Sequence, residues 1–552
     1  MIRHKPLKAY SKDAYALPLA LILLAFVSVT GVALIGWTVS SATTGAASDQ
    51  LLRAQSRAED GLLWWETQFE KKLNDAGTID PGQAESKLTA IVGAIQPPPN
   101  AGFTLDPPPQ IRTIEIQEEN ASQNTYSAYV TVSIKGTAGS HERTVRRTYL
   151  VSTAAQQFLF GLVTEGKLTL NGAAYIKGDG LIGGALSVSP NAQYVWKGAS
   201  RREYAGYAAW EGSLSSGVNY MNLYINNQEM RVALNDENLK QGFVVPPKLS
   251  RSSAASNPIQ VADIVRQHNQ RPSLPESAQE KECFKFLGFE YCHGPVDKSL
   301  KSREQRSGGY WVNNLTLNPG AKLTVVGDVL VEGNLTIGAG AELRIEQGNL
   351  YVAGQLTLQG QNNQTQSATL LLDPDRKTYV KQSSTLSNAT LRGTLYSNGT
   401  VTVQNSLWNR STIYTAGNAE ISEFKMQDQN FTIVLAEGNI LVKNNNLFNS
   451  TPLIMNAYFY SNQDITLYGV GSNIEVHGGI SGKNVTFNAV KGNSRDCGST
   501  ICFEPGHPSL PVDRSRLKIY YNADMILNPP SGIYQPGPFT YKIYSTSLDT
   551  EN

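Results

Sequence analysis

The sequence predicts a mainly β protein with an N-terminal membrane-spanning α-helix, a small α+β module and then a parallel, right-handed β-helix broken by an insertion. Three observations carry this. Residues Ala16–Trp37 form an uncharged, apolar run of 22 residues. Asn314–Gly333 and Asn334–Gly354 align as successive repeats of 20 and 21 residues. The long part of the chain beyond the apolar run is dense in Asn, Thr, Ser, Val and Gly, which suits many short strands and turns.

The apolar run comes first. At ~1.5 Å rise per residue, a helix of this length spans a ~30 Å hydrocarbon core. Its polar side chains, Ser28 and Thr30, can bond back to helix carbonyls. The leader, residues 1–15, carries Arg3, Lys5, Lys8 and Lys12 against Asp13. Basic residues beside a first hydrophobic segment favour a cytoplasmic leader and an exported bulk. A cleavable signal peptide ending near Ser40-Ser41-Ala42 is the competing reading, against which the apolar run is long.

Residues 38–75 continue as a helical stalk. Leu51, Ala54, Ala58, Leu62, Trp65, Phe69 and Leu73 recur at spacings of three and four, one face of a helix, and Ser48 can cap this half. Residues 76–155 read as the α+β module. Pro81–Ile95 is a helix with Pro at its start. Strand-like runs follow at Ile111–Ile116, Ser127–Ile134 and Arg143–Val151, with a turn across Lys135–Glu142.

Residues 156–490 are assigned to the solenoid. In each repeat three short apolar pairs, such as Leu315/Leu317, Leu323/Val325 and Val329/Val331, are separated by Gly or Asn. Runs this short suit the faces of a stacked coil better than an antiparallel sandwich. Weaker echoes occur at Lys167–Val188, Gly393–Gln404, Val434–Val442 and Phe459–Phe487. Residues 200–308 lose the period and read as an insertion. Residues 491–552 read as one strand, Arg516–Ile526, and a polar tail.

The cysteines fall in two local pairs, and in an exported chain they suggest disulfides Cys283–Cys292 and Cys497–Cys502. A four-thiolate zinc site lacks the usual C-x2-C spacing. The net charge of +1 gives no electrostatic case for nucleic acid. Chemistry is sought at Asp373-Pro374-Asp375-Arg376-Lys377 and at His477-Gly478-Gly479. Neither has the partner carboxylates of a glycosidase or the calcium cluster of a lyase, and the chain is expected not to be an enzyme or to hold a cofactor. Tyr204, Tyr207, Trp210, Tyr220 and Tyr224 could form a stacking surface for glycans or pack beneath the insertion. Lys298–Arg306 reads as a solvated basic loop.

The N-terminal region resembles PilX-type minor pilins and related type IV pilus biogenesis proteins. The resemblance lies in the basic leader, in Tyr15-Ala16-Leu17-Pro18-Leu19 opening the apolar run, and in Ala58-Glu59-Asp60-Gly61, similar to the family's A-E-x-G ending. It implies a long helix half in the membrane and half in a globular head, leader cleavage between Ala14 and Tyr15, and other pilins and the pilus assembly machinery as partners. Two positions depart from the family. Ala14 stands where Gly is usual. Leu19, the fifth residue from Tyr15, stands where most pilins carry the Glu that pairs with a neighbouring subunit's amino terminus. The implied role is a minor pilin or assembly component displaying the solenoid, with an adhesive head as its extension. A static surface adhesin and a polysaccharide-active enzyme are the alternatives.

Overall fold

The computed structural model describes residues 16–549 except 115–124, 226–227, 252–257, 288, 362–365, 374, 424, 427–430 and short stretches between 524 and 537. The first element, α1, runs unbroken over Ala16–Asp75, 60 residues or ~90 Å at the helical rise. Ser48 therefore lies inside the helix rather than at a cap. The upper part is apolar and exposed, with Leu19, Phe26 and Trp37 all more than half accessible, and is long and apolar enough to cross a membrane. Ser28 and Thr30 donate to the carbonyls of Leu24 and Phe26, both at 2.7 Å, so neither hydroxyl is left unbonded in the apolar stretch. In the lower part Ala54, Ala58, Leu62, Trp65, Phe69 and Leu73 are buried on the predicted face.

That face packs on a small antiparallel sheet. The helix α2 (Pro81–Gly93) starts from Asp80, whose side chain accepts the Gly82 amide at 2.9 Å. Strands β1 (Phe103–Leu105) and β2 (Gln110–Thr113) both pair with β3 (Ser127–Ala138), which pairs with β4 (His141–Ser152). The turn between β3 and β4 is only Gly139-Ser140, shorter than the sequence implied, with Gly139 at φ +60°. The fourth position in the sheet is taken by the C-terminal strand Thr540–Asp549, antiparallel to β4. The expected polar tail is thus a sheet strand. Phe539 and Tyr541 pack with Trp65, Phe69 and Tyr149 in one core.

The rest is a coil of three parallel walls. The repeats stack in the register the sequence implies: Leu315 on Leu335 on Leu356, Leu323 on Leu343 on Leu370, Val329 on Leu350. Their side chains fill a continuous apolar interior. Turns are tied by backbone amides that donate to side-chain oxygens of the neighbouring coil. Asn314 Oδ1 accepts the Asn334 amide at 2.7 Å, and Asn334 Oδ1 accepts that of Gln355 at 2.8 Å. At a second corner Asp328 accepts from Asn349 and Asn349 from Lys377. Gly320 and Gly340 hold matching turns at φ +78° and +66°.

The coils do not stack in chain order. From Lys298–Leu300 the chain climbs coil by coil to Ile474–Ala489, and that strand then pairs with Leu162–Thr164 and Leu168–Gly172. The first coils of the chain therefore sit on top of the last. Leu186–Ser189, Ser213–Ser216 and Lys248–Arg251 continue the stack beyond them. This corrects the reading of 200–308 as an insertion. Much of it is coil: Tyr220–Ile225 stacks in parallel on Leu186–Ser189 with Met221 and Leu223 in the interior, and Gln228–Ala233 folds back on it antiparallel.

The chain must then return to the far end, and residues 258–280 do so as a strap along the outside of one wall. The strap covers a ladder of outward side chains: Tyr351, Tyr379, Tyr396, Tyr414, Leu435 and Tyr460 occupy successive register positions. Ile259, Val261, Ile264 and Val265 pack on that ladder. His268 lies flat on Tyr396 at 4.0 Å between ring centroids, and Tyr351 donates to Asn269 at 3.2 Å.

Candidate functional sites

The junction of α1 with its sheet is where the A-E-x-G residues fall. Ala58 is buried against β3, where Gly136 brings the two backbones close; a Cβ on Gly136 would sit 2.5 Å from the Ala58 nitrogen. Gly61 faces Phe103 and Ile134, and a Cβ there would lie 2.6 Å from the Phe103 ring. Both small residues are accounted for by close approach of helix to sheet. Glu59 points outward and accepts from Gln55 at 2.8 Å. Two turns on, Glu66 pairs with Arg147 at 2.6 Å, and Arg147 also donates to Thr546 at 3.1 Å. Helix, β4 and C-terminal strand are thereby tied together. Burial raises the Glu66 carboxyl above its usual value despite the Arg147 charge. A cavity of about 250 Å³ lies beside this pair, lined by Glu59, Leu62, Leu63, Val145, Arg147 and Leu548 among others. Ala14 and Tyr15 lie outside the described residues.

The cysteines are joined as Cys283–Cys292, across a two-stranded hairpin, and Cys497–Cys502, beside the short pair Ser494–Asp496 and Ile501–Phe503. No free cysteine exists among the described residues, which removes the four-thiolate zinc alternative.

His477 projects from the outside of a wall, next to Glu475 on its own strand and Lys518 and Tyr520 on the next. Its Nε2 lies 3.3 Å from Glu475 Oε2, and Lys518 Nζ lies 2.9 Å from Oε1. Hydrogen bonding from His477, with Lys518 adding to it, holds the Glu475 carboxyl below its usual range against the opposing effect of burial. Along the same wall Tyr520 meets Tyr175 edge-on at 5.8 Å. Glu211 stands three strands up this wall in register with His477, and Asp513 also lies near Tyr175 and Tyr520.

Asp373 caps a turn, accepting the Gln347 amide at 2.9 Å, while Asp375 is exposed; Pro374 lies outside the described residues. The five aromatics do not share one surface. Trp210 is buried in the coil interior with Nε1 on the Gly178 carbonyl at 2.8 Å, and Tyr207 donates to Tyr224 O at 2.8 Å. Arg231 covers Tyr220 at 3.5 Å and Arg202 covers Tyr224 at 4.7 Å, leaving Tyr204 the most exposed. In the basic stretch, Lys298 and Arg306 both pair with Glu280, and Lys301 and Arg303 face solvent.

Sequence reasoning missed the tyrosine ladder. Its signal was present, a Tyr recurring in YVAG, TYV, LYS, IYT and FYS. Because these residues point outward, the inward-facing period does not register them.

No protein-family model matches the chain, and no curated protein matches it. Among solved structures, the crystal structure of the competence-associated pilin ComZ from Thermus thermophilus aligns with 91% of this chain and 98% of its own length, at 12% identity and a TM-score of 0.21. A TM-score at that level does not establish a common fold.

Proposed function

We propose that this chain is a membrane-anchored, exported structural subunit of the pilin type, a minor pilin or pilus-assembly component that displays a β-solenoid. The observation that carries this is α1: one unbroken helix with an exposed apolar upper part and a lower part buried on a small antiparallel sheet. That is the arrangement the resemblance to minor pilins implies, and Ala58 and Gly61 of the A-E-x-G match lie where helix and sheet come closest. The basic leader is cytoplasmic and the sheet and solenoid are outside. Partners are the membrane, other pilins and the assembly machinery, with surface glycans as a further class and no role for nucleic acid. The role is structural rather than enzymatic. Adhesion through the solenoid extends this reading.

Leu19 favours a position at a fibre tip, or a fixed anchor, over the fibre body, since the carboxylate that would meet a neighbour's amino terminus is missing. The intact mass of the protein extracted from its native membranes tests the proposal. A mass lacking Met1–Ala14 supports a processed pilin-like subunit. A full-length chain overturns it in favour of a static anchor, and loss of everything through Ala42 means a cleaved signal peptide.

A further inference from the structure

We propose that the disulfide-stapled hairpin at the far end of the solenoid is a membrane-contact element that inserts its tip into a second, zwitterionic phospholipid bilayer. The hairpin pairs Glu282–Phe286 with Phe289–His293, and Cys283–Cys292 locks its base. Its root is fixed to the end coil: the Glu280 amide donates to Trp311 O at 2.8 Å, and the Val296 amide donates to Glu280 O at 3.2 Å. Beyond that root five residues of strand project the tip ~17 Å outward.

The placement is distal. The small sheet meets the solenoid near Phe158, Phe160 and Tyr521: Phe158 packs on Tyr458, and Lys542 Nζ lies 2.7 Å from Asp179. On the strap-bearing wall the stack runs from Tyr310–Val312 through Val329–Val331, Leu350–Val352, Lys377–Val380, Ala389–Ser397, Leu407–Thr415, Thr432–Ala436, Ala457–Gly469 and Ile474–Ala489 to Leu162–Thr164. Nine steps of ~4.8 Å put ~43 Å between the hairpin's coil and the coil at the junction.

The tip is apolar and does not fold back on the protein. Phe284, Leu287, Phe289 and Tyr291 are 56%, 81%, 67% and 49% exposed. A soluble surface seldom concentrates such side chains on one projection. Phe284 and Tyr291 stack at 5.7 Å across the strands, a rigid aromatic pair of the kind favoured at the headgroup boundary. Four side chains exposed to this extent offer on the order of 500 Å², short of the ~800 Å² per partner of a stable protein interface. A convex tip of that size suits a bilayer, which needs no matching groove. Charge selects the headgroup. Lys281 and Lys285 are balanced by Glu282 and Glu290, so the hairpin has no net attraction for an anionic surface and fits a zwitterionic one.

The test holds the full chain in nanodiscs by its own helix and adds phosphatidylcholine liposomes. The wild type captures liposomes, and Leu287→Asp with Phe289→Asp loses capture at least tenfold. Leu287→Trp keeps an apolar tip, retains capture and gains an indole fluorescence signal that brominated phosphatidylcholine quenches. The proposal is overturned if the wild type captures no liposomes, if the double Asp variant captures them equally well, or if the introduced indole escapes quenching while capture persists.

Discussion

Replacing Gly136 with Ala tests whether α1 is held to its sheet as described. The new Cβ would sit 2.5 Å from the Ala58 nitrogen and 3.1 Å from its Cα, and would overlap the Ala54 carbonyl oxygen. All three are backbone atoms of a continuous helix, so no side chain can swing aside. Contact at ~3.5–4.0 Å is restored only if helix and sheet separate by ~1 Å, and such a gap forfeits a quarter to a half of each attraction across it. Ala54, Ala58, Leu62, Val132 and Ile134 all lie in that layer. Overpacking of this kind costs about 1–3 kcal/mol, offset by about 0.4–1 kcal/mol because Ala restricts the unfolded chain. A net loss of about 1–2 kcal/mol speeds local opening roughly 5–30-fold. Hydrogen exchange followed by mass spectrometry should show this in peptides spanning 54–73 and 127–138, with 315–358 in the solenoid unchanged. Gly45→Ala, where a Cβ meets nothing within 4 Å, should instead slow exchange around it. Unchanged exchange in 54–73 for Gly136→Ala, in a folded chain, would refute the close approach.

Arg516 is buried and donates to the carbonyls of Ser472 at 3.0 Å, Gly492 at 3.2 Å and Gly471 at 2.9 Å, and burial pushes its pKa down to about 10. Arg516→Met orphans three carbonyls and should cost about 3 kcal/mol or more, read as a lower urea midpoint, with Arg516→Lys intermediate. Burial holds the His268 ring below the usual imidazole pKa, with the Ile264 carbonyl opposing this and nearby Lys377 reinforcing it. The unfolded chain then binds more protons, so the strap loses stability as pH falls below ~6.5. Proteolysis within 258–280 should rise between pH 7 and pH 5, and His268→Phe should flatten that dependence. Removing residues 540–552 strips the strand that pairs with β4 and should raise exchange in 144–152 while leaving 315–358 protected.

The legible parts of this fold are the local ones. Helical spacing from Ala54 to Leu73 named the buried face of α1, and the 20- and 21-residue repeats gave the stacking register directly, because each coil lies beside its chain neighbour. Coil order was not legible. Leu162 and Ile480 stack on each other across the fold, yet each presents the same apolar face as any other coil, and nothing in their residues selects which end they cap. The period failed over 200–308 because the antiparallel strand Gln228–Ala233, the strap and the stapled hairpin separate the coils there. The C-terminal strand was hidden by its Ser and Thr residues and by weak alternation: Phe539 and Tyr541 join the sheet core, but Ile543 is exposed. Among site residues, the spacing of the cysteines pointed to the two disulfides now seen. The surroundings of His477 were not legible, since Lys518 and Tyr520 reach it from a strand about 40 residues later.

The central claim is that α1 passes from the bilayer into the sheet as one rod, with sheet and solenoid outside and the leader inside. Single cysteines at Ser11, Ser48 and Ser302, probed in intact cells with a membrane-impermeant maleimide, test it most directly, since the native cysteines are paired. Ser48→Cys and Ser302→Cys should label without lysis, and Ser11→Cys, in newly made chains that still carry the leader, only after it. Labelling of Ser11→Cys in intact cells, with Ser302→Cys protected, would contradict the account.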